Sequence, residues 1–297
     1  MNYVITGSLG HISKPIVQKL VAAGHRVTVV TSTADRANDI EALGAVAAVG
    51  SVQDAAFIKK TFAGAHAAYL MIPPNWTLTG GWLEYQQQVT QIYLDAIRAA
   101  QVKHVVLLSS VGAHLRQGAG PVDGLGYAEE RLAEVPGLHV KIVRPSYFYY
   151  NLFSMIPLIK NMNIMGANFG GTEEKLVLTD PSDIAEVVSH HLLMLDFTGY
   201  SIEYIGSDER HPQEIANVLS ESIGKPGIPW VPFTDEQSLA GMRQAGLPET
   251  IAQGYTQLGA ALRNGTMQES YWKNRPVLGK VKLEDFAKQF AAAYQAS

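Results

Sequence analysis

The stretch "YVITGSLGHIS", residues 3–13, joins a short apolar run to two glycines and then to the start of a helical pattern. The run predicts a β-strand, Tyr3–Thr6, and the pattern predicts a helix that begins near His11. Gly7 permits a tight turn between them, and Gly10 lets a ligand approach the backbone where a Cβ would obstruct it. The N–H groups at a helix N-terminus attract anions. The stretch therefore predicts a site for the pyrophosphate of a dinucleotide.

Ser13 occupies the position of the third glycine in the usual G-x-x-G-x-x-G spacing. That third position chiefly lets the helix and the strand pack closely. Because serine is also small, we interpret Ser13 as a variation in packing rather than as the loss of the binding turn.

Short runs rich in Val, Ile and Leu alternate with amphipathic segments through the first two thirds of the chain. Strands without polar alternation are typical of a parallel sheet buried on both faces, and this strand–helix spacing is typical of right-handed crossovers. The pattern predicts an α/β fold, a Rossmann-type doubly wound parallel sheet with a smaller, mostly helical C-terminal substrate lobe. The predicted strands are Tyr3–Thr6, Arg26–Val30, Val46–Val49, Ala67–Met71, His104–Ser109, Val140–Val143 and residues 200–206. The predicted helices are His11–Ala23, Ala34–Leu43, Asp54–Phe62, Trp82–Ala100, Leu125–Val135, Ser182–Leu195, Pro212–Ile223, Glu236–Gln244, Glu249–Arg263 and Leu283–Ala296.

After Pro145 the rhythm changes to an aromatic stretch, "SYFYYNLFSMIPLIKNMN", and then to the breaker "GANFGG". We therefore predict an NAD(P)-binding Rossmann domain over residues 1–150, to which residues 176–206 return. Residues 151–175 and 207–297 are predicted to form the smaller substrate lobe.

The 297 residues carry a formal net charge of −4 and no cysteine. A general nucleic-acid-binding protein needs a concentrated basic face, so we expect no nucleic-acid partner. The lack of cysteine excludes disulfides, thiolate metal sites and a cysteine nucleophile. Adjacent His190 and His191 do not share a helix face, and we expect no metal. No signal peptide is visible and no apolar run approaches the roughly 18 residues that span a bilayer, which predicts a cytoplasmic protein without a membrane partner.

The end of the second strand, "VVTSTADRA", bears on the choice of cofactor. A carboxylate at the tip of this strand would bind a ribose 2′-hydroxyl and repel a 2′-phosphate, but Asp35 falls beyond the tip. Ser32 and Thr33 can donate hydrogen bonds to a phosphate, and Arg36 can pair with its charge. The pattern predicts that NADP(H) is preferred, with NAD(H) use left possible.

Five segments in order carry a resemblance to a known family: the glycine turn, "TSTADRANDIEALGA", "HVVLLSSVGA", "KIVRPSYFYYNL" and "LTDPSDIAEVV". With them the chain resembles the NmrA-like group of atypical short-chain dehydrogenases/reductases over roughly residues 3–230. The resemblance implies an NAD(P)-binding Rossmann domain with a small substrate lobe. Members include NADPH-dependent quinone, azo-dye and triarylmethane-dye reductases, aromatic ether and flavonoid reductases, and non-catalytic redox sensors.

The resemblance also implies which residues meet the dinucleotide. Those at the pyrophosphate are Gly7, Leu9, Gly10, His11 and Ile12, and those at the adenosine ribose and its phosphate are Ser32 and Arg36. Ser51 and Val52 are expected near the adenine. Met71, Ile72 and Pro73 are expected near the nicotinamide-side ribose, and Ser109 and Ser110 beside the nicotinamide.

A proton donor is less clearly marked. Many relatives use Tyr-x-x-x-Lys, in which the lysine lowers the pKa of the phenol. The stretch Tyr127-Ala-Glu-Glu-Arg131 has that spacing, but arginine does not share a proton as lysine does, and the family's register places the tyrosine near Pro121 or Val122. The candidate catalytic residues are Tyr127, Ser110 and His114. Without a donor, a quinone, an azo bond or a dye cation can still accept hydride directly.

Aromatic residues offer a place for the acceptor. Tyr147, Phe148 and Asn151 belong to a cluster that follows the sixth strand, where flat rings form either a floor for a planar molecule or the core of the lobe. Trp76 and Trp82 lie in the loop "PPNWTLTGGW", which we interpret as an exposed cover hinged at two glycines.

These features predict an NADPH-dependent oxidoreductase, a reductase that transfers hydride to a planar conjugated or carbonyl small molecule of the quinone, dye or enone type. The alternative is a non-catalytic NAD(P)-binding redox sensor of the NmrA type. Either a monomer or a homodimer is compatible with the sequence.

Overall fold

The computed structural model describes residues 1–78, 80–171 and 174–297. Thr172 and Glu173 of the predicted 151–175 segment, and Thr79 of the tryptophan loop, lie outside the described residues. The strands are β1 (Asn2–Ile5), β2 (Arg26–Thr31), β3 (Val46–Val49), β4 (Ala67–Leu70), β5 (His104–Leu108), β6 (His139–Pro145), β7 (Tyr147–Phe148), β8 (Met165–Ala167), β9 (Leu176–Thr179), β10 (Tyr200–Ile205), β11 (Asp208–Arg210) and β12 (Trp230–Pro232).

The α-helices alternate with the strands along most of the chain. They are α1 (Ser13–Ala22), α2 (Ala37–Ala42), α3 (Ala55–Phe62), α4 (Trp82–Ala100), α5 (Leu125–Ala133), α6 (Ile156–Met162), α7 (Pro181–Met194), α8 (Pro212–Ser222), α9 (Asp235–Gln244), α10 (Glu249–Arg263), α11 (Glu269–Lys273) and α12 (Leu283–Ala296). Short 3₁₀ turns span Ala34–Arg36, Ala113–Leu115, Gly120–Val122 and Tyr149–Met155.

A seven-stranded parallel sheet forms the centre of the molecule, in the order β10-β6-β5-β4-β1-β2-β3. Ile5 of β1 lies opposite Val29 of β2 on one side and opposite Tyr69 of β4 on the other. The strand order reverses between β1 and β4, and in open α/β sheets a ligand crevice forms at such a reversal, at the carboxyl ends of the strands. This topology confirms the predicted Rossmann-type fold.

Helices cover both faces of the sheet because its strands are apolar on both sides. One buried cluster joins α1, α2 and α7 to the sheet, and a second joins α3, α4 and α5 to the opposite face. All four residues of β4 are buried, which is why the sequence shows no polar alternation there. Each fully buried large aliphatic side chain contributes roughly 1.5–3 kcal/mol to folding.

The C-terminal part of the chain packs around a third cluster, which includes Tyr149, Trp230, Tyr271, Phe286 and Phe290. Two small sheets belong to this region, with strand orders β11-β9-β7 and β12-β8. The predicted strand at 200–206 is observed as β10, which pairs with β6 in the central sheet. The division of the chain into a Rossmann domain and a lobe stays a prediction.

Within the described ranges, no helix is both long and apolar enough to cross a membrane.

Candidate functional site

The glycine turn has the geometry that only glycine provides at its first position. Gly7 has φ +91°, and a Cβ there would lie 2.7 Å from Cγ of Met71. The buried Ser13 hydroxyl donates a hydrogen bond to the carbonyl oxygen of Thr6 at 3.3 Å. Ser13 therefore links the first residue of α1 to the end of β1, which is a packing role.

The turn presents unused hydrogen-bond donors. Among the described residues, no acceptor bonds the N–H groups of Leu9, Gly10, His11 and Ile12, which precede α1. A Cβ on Gly10 would meet only the carbonyl oxygen of Gly7, at 3.5 Å, so the space above Gly10 is open. The first turn of α1 carries no acidic residue. An open backbone with free N–H groups at a helix N-terminus fits the pyrophosphate of a dinucleotide.

The tip of β2 is ordered by hydroxyl groups. Ser8 Oγ donates to Thr31 Oγ1 at 3.0 Å, and Thr33 N–H donates to the same atom at 3.3 Å. Ser32 and Arg36 are exposed, and their side chains form no hydrogen bond or ion pair with the described residues. The Arg36 guanidinium is thus available to an anionic ligand.

The end of β3 lies beside the tip of β2, since Gly50 N–H donates to the carbonyl oxygen of Thr31 at 2.8 Å. Ser51 Oγ accepts from Gln53 N–H at 3.1 Å, and Val52 packs at the edge of the buried cluster of α3–α5. The structure therefore brings Ser51 and Val52 near the β2 tip, while the Ser51 hydroxyl already supports its own turn.

The residues after β4 are held in place by hydrogen bonds between their backbone atoms and side-chain hydroxyl groups. Met71 N–H donates to Thr6 Oγ1 at 2.7 Å, and the Tyr93 hydroxyl donates to the Met71 carbonyl at 3.0 Å. The Tyr85 hydroxyl donates to the Pro73 carbonyl at 2.8 Å, and Ile72 packs against the core. This segment lies next to the glycine turn, because the Met71 side chain lies against Gly7.

A buried polar network at the ends of β5 and β6 was not predicted. The Ser109 hydroxyl hydrogen-bonds Glu129 of α5, and Arg144 Nε donates to Glu129 Oε1 at 2.9 Å. Arg144 Nη1 also donates to the Tyr204 hydroxyl at 2.9 Å. Burial lowers the pKa of Arg144, but the hydrogen bonds and charge of Glu129 outweigh it and raise that pKa overall. Ser109 is therefore tied by its side chain to this network. Charged side chains normally lie at the surface, and no local pattern marks these two as buried.

The three candidate catalytic residues do not form one constellation. Tyr127 is half-buried in α5 and its hydroxyl forms no hydrogen bond with the described residues, whereas Arg131 is bound to Glu134. Ser110 Oγ donates to the neighbouring Val111 carbonyl at 2.8 Å.

His114 is half-buried, like the other two candidates, and one of its ring nitrogens is fully buried. Its Nδ1 lies 3.1 Å from Ser270 Oγ, and its buried Nε2 has no hydrogen-bond partner in the described structure. Burial and the charge of Arg144 lower its pKa, although Glu269, the Thr266 backbone and Glu129 act in the opposite direction. Burial and the Arg144 charge thus disfavour the protonated form of the imidazole.

The aromatic cluster after β6 is divided between two roles. Tyr149 is fully buried and stacks on Phe286, with ring centroids 5.2 Å apart, so it belongs to the lobe core. Tyr147 and Phe148 are half-buried, as is Tyr150, whose ring centroid lies 5.1 Å from that of Phe148. Asn151 is also half-buried, at the start of the turn that leads to α6.

The two tryptophans of the loop after β4 differ. The expectation that both are exposed is wrong for Trp82, which is 6% exposed and packs against Gly254 of α10. Trp82 is the first residue of α4, and its indole is covered because α10 folds back over it. Trp76 is 53% exposed and stacks on Tyr255, with ring centroids 5.9 Å apart and planes 6° apart. Tyr255 is a residue that sequence reasoning missed.

Residues 7–151 match a protein family described as NAD(P)H-binding. A comparison with curated protein sequences gives no match. Among solved structures, a nucleoside-diphosphate-sugar epimerase from Staphylococcus aureus is 18% identical, with 97% of this chain and 100% of that chain covered and a TM-score of 0.80. An NADPH-dependent quinone oxidoreductase from Escherichia coli, in complex with NADPH, is 15% identical, with coverage of 97% and 99% and a TM-score of 0.80. NmrA, a negative transcriptional regulator in complex with NAD, is 12% identical, with coverage of 99% and 97% and a TM-score of 0.75.

These three proteins share the fold of this chain but differ in the activities described for them, so the fold does not choose among those activities. The family match agrees with the open glycine turn and confirms the prediction of NAD(P) binding. Residues 7–151 thus match the NAD(P)H-binding family, and the chain as a whole shares the fold of these three structures.

Proposed function

We propose that this protein is an NADPH-dependent reductase of a planar conjugated or carbonyl small molecule. One observation carries the proposal: the ring of Tyr150 lies 5.4 Å from the ring of His11 in the glycine turn. The half-buried aromatic residues therefore lie next to the glycine turn in space. A flat acceptor held on these rings would lie next to the bound cofactor.

Each part of the site has a distinct task in this proposal. The free N–H groups of Leu9–Ile12 bind the pyrophosphate, and Ser32 and Arg36 bind the 2′-phosphate that distinguishes NADPH from NADH. NADPH, when bound, supplies the hydride. Tyr147 and Tyr150 orient the acceptor, and the loop that carries Trp76 shields the reaction from water.

A redox-sensing regulator is the second candidate. The observation that favours it concerns Tyr127 and Arg131, which have the spacing of a Tyr-x-x-x-Lys pair with arginine in place of lysine. The Arg131 side chain is bound to Glu134 and not to Tyr127. A protein without a tyrosine–lysine pair can bind the dinucleotide and report its redox state without turnover.

A thermal-shift titration with NADPH, NADP⁺, NADH and NAD⁺, followed by NADPH oxidation with quinones, dye cations and enones, separates the two candidates. The reductase predicts stabilisation by NADPH together with turnover of at least one acceptor class. Tight binding without turnover of any acceptor supports the sensor. No stabilisation by any of the four dinucleotides contradicts both.

A further inference from the structure

Ser8 lies in the glycine turn and has an unusual backbone conformation for a residue with a side chain. Its φ is +56°, next to Gly7 at +91°, in the left-handed region that a Cβ makes unfavourable. The other non-glycine residues of the described chain in this region follow the last residue of a helix or a 3₁₀ turn: Gln101, Arg116, Asn163 and Leu195. Ser8 follows a strand instead, so its side chain needs a separate explanation.

Both the backbone and the side chain of Ser8 bond to the end of β2. Ser8 N–H donates to the Val30 carbonyl oxygen at 3.0 Å, and Ser8 Oγ donates to Thr31 Oγ1, also at 3.0 Å. Thr31 is only 2% exposed. The left-handed conformation therefore goes together with a hydrogen bond from the Ser8 hydroxyl to a buried acceptor on the neighbouring strand.

The same Thr31 hydroxyl also fixes the backbone that follows β2. Thr33 N–H donates to Thr31 Oγ1 at 3.3 Å, and Thr31 Oγ1 donates to the Thr33 carbonyl oxygen at 3.4 Å. That carbonyl oxygen also accepts from Arg36 N–H at 3.2 Å, within the 3₁₀ turn Ala34–Arg36. Hydrogen bonds therefore run without a break from Ser8 in the glycine turn to the backbone of Arg36.

The side chains of Ser32 and Arg36 contrast with this fixed backbone. Both are exposed and have no partner in the described parts of the chain. A site whose backbone is already ordered loses less conformational freedom when a ligand binds, and it binds more tightly for that reason. The hydrogen bonds of Ser8 and Thr31 thus order the segment that presents two free side chains to an anion.

We propose that Ser8 is a positioning residue for the 2′-phosphate of NADPH: its hydroxyl, through Thr31, holds the segment that carries Ser32 and Arg36. This inference rests on the proposed preference for NADPH. It differs from direct binding of the pyrophosphate by Ser8, because NADPH and NADH both carry a pyrophosphate and only NADPH carries the 2′-phosphate. Loss of the Ser8 hydroxyl should therefore weaken the binding of NADPH alone.

The test measures the Kd for NADPH and for NADH in Ser8→Ala by isothermal titration calorimetry. This variant keeps the Cβ and removes only the hydroxyl. We expect the Kd for NADPH to rise about 5-fold, as for the loss of one neutral hydrogen bond, and that for NADH to change by less than about twofold. Ser8→Gly also removes the hydroxyl and has no Cβ in the left-handed region, so it serves if Ser8→Ala does not fold.

Variants of Thr31 test the same hydrogen bond from its other side. Thr31→Val removes the acceptor and should reproduce the selective loss of NADPH affinity, whereas Thr31→Ser keeps the hydroxyl and should retain the wild-type ratio of the two Kd values. Thr28→Val is the matched control, because Thr28 is half-buried earlier in the same strand, away from the tip. It should bind both cofactors as the wild type does.

Two further measurements examine the route to Arg36. In a protein that already carries Ser32→Ala and Arg36→Ala, Ser8→Ala should change the Kd for NADPH by less than about twofold, because the side chains that it positions are gone. Without any cofactor, exchange of the Thr33 and Arg36 amide hydrogens, followed by NMR, should be about 5-fold faster in Ser8→Ala than in the wild type.

Equal rises in the Kd for NADPH and NADH would overturn the positioning role and assign the Ser8 hydroxyl to the pyrophosphate instead. An unchanged Kd for NADPH, or unchanged amide exchange at Thr33 and Arg36, would overturn it as well. If the wild type binds NADPH no more tightly than NADH, the proposed cofactor preference itself has failed, and the role of Ser8 fails with it.

Discussion

Glu129 and Arg144 form an ion pair whose side chains are only 2% and 7% exposed. The pair connects α5 to β6 and also binds the hydroxyl groups of Ser109 and Tyr204. A buried pair of this kind is costly to break, because removal of one partner leaves the other charge without compensation.

We therefore predict that Glu129→Gln lowers the free energy of unfolding by about 3 kcal/mol. The measurement is urea denaturation followed by circular dichroism. Glu134→Gln is the control on the same region of the chain, because the Arg131–Glu134 pair is largely exposed and its loss should cost less than about 1 kcal/mol. Similar losses in the two variants would contradict the structural importance of the buried pair.

Arg36 should set the preference for the phosphorylated cofactor. Because the exposed Arg36 guanidinium has no partner among the described residues, Arg36→Ala should raise the Kd for NADPH by roughly 10-fold or more and leave that for NADH nearly unchanged. Isothermal titration calorimetry measures both constants. Arg26→Ala is a matched control, since Arg26 begins β2 at the end that lies away from the Arg36 turn. An equal loss for both cofactors would show that Arg36 does not contact the 2′-phosphate.

Substitution of the two glycines of the turn should affect different properties: dinucleotide affinity for Gly10 and stability for Gly7. Gly10→Ala has room for its Cβ inside the protein, so its stability should stay within about 0.5 kcal/mol of the wild type while dinucleotide affinity falls at least about 10-fold. Gly7→Ala should lose about 1–3 kcal/mol of stability, because its φ is +91° and its Cβ would meet Met71. Thermal unfolding and NADPH titration of the two variants, side by side, distinguish the effects. Normal NADPH binding by Gly10→Ala would show that the pyrophosphate does not bind at this turn.

The enclosed His114 should make the protein sensitive to acid. Burial lowers the pKa of His114 below its ordinary value of 6.5, so the unfolded state takes up a proton more readily than the folded state. This effect is absent well above pH 6.5, and stability should fall as the pH drops through 6.5. Burial and the neighbouring His139 lower the pKa of His104 in the same sense.

His114→Gln should accordingly reduce the fall in Tm between pH 7.5 and about pH 5.5, measured by differential scanning fluorimetry. The exposed His190 provides the comparison, and His190→Gln should keep the wild-type slope. A His114→Gln slope identical to that of the wild type would mean that the imidazole is protonated as easily in the folded protein as in the unfolded chain.

The central sheet was predictable from the sequence because its strands are contiguous apolar runs with helical patterns between them. The predicted Val46–Val49 and Trp82–Ala100 agree with the observed β3 and α4 at both ends. The strands β7, β8, β11 and β12 were not predicted, since they contain only two or three residues and exist through their pairing with distant segments; the four-residue β9 was also missed. Such short strands leave no periodic pattern.

The site could be predicted only where it is local in sequence. The glycine turn and the β2 tip each lie within a few consecutive residues, so spacing and residue type are enough to mark them. Tyr255 lies more than one hundred positions after Trp76, and only the path of α10 brings their rings together. The burial of Glu129 likewise follows from the packing of α5 against the sheet rather than from any feature of "YAEER".

The stack of Trp76 on Tyr255 joins the loop after β4 to a helix that follows the whole central sheet in the chain. Every strand of the central sheet and the whole glycine turn precede residue 206, whereas Tyr255 follows it. A substitution in α10 that removes the Tyr255 ring should therefore uncover Trp76 while every residue of the glycine turn stays unchanged.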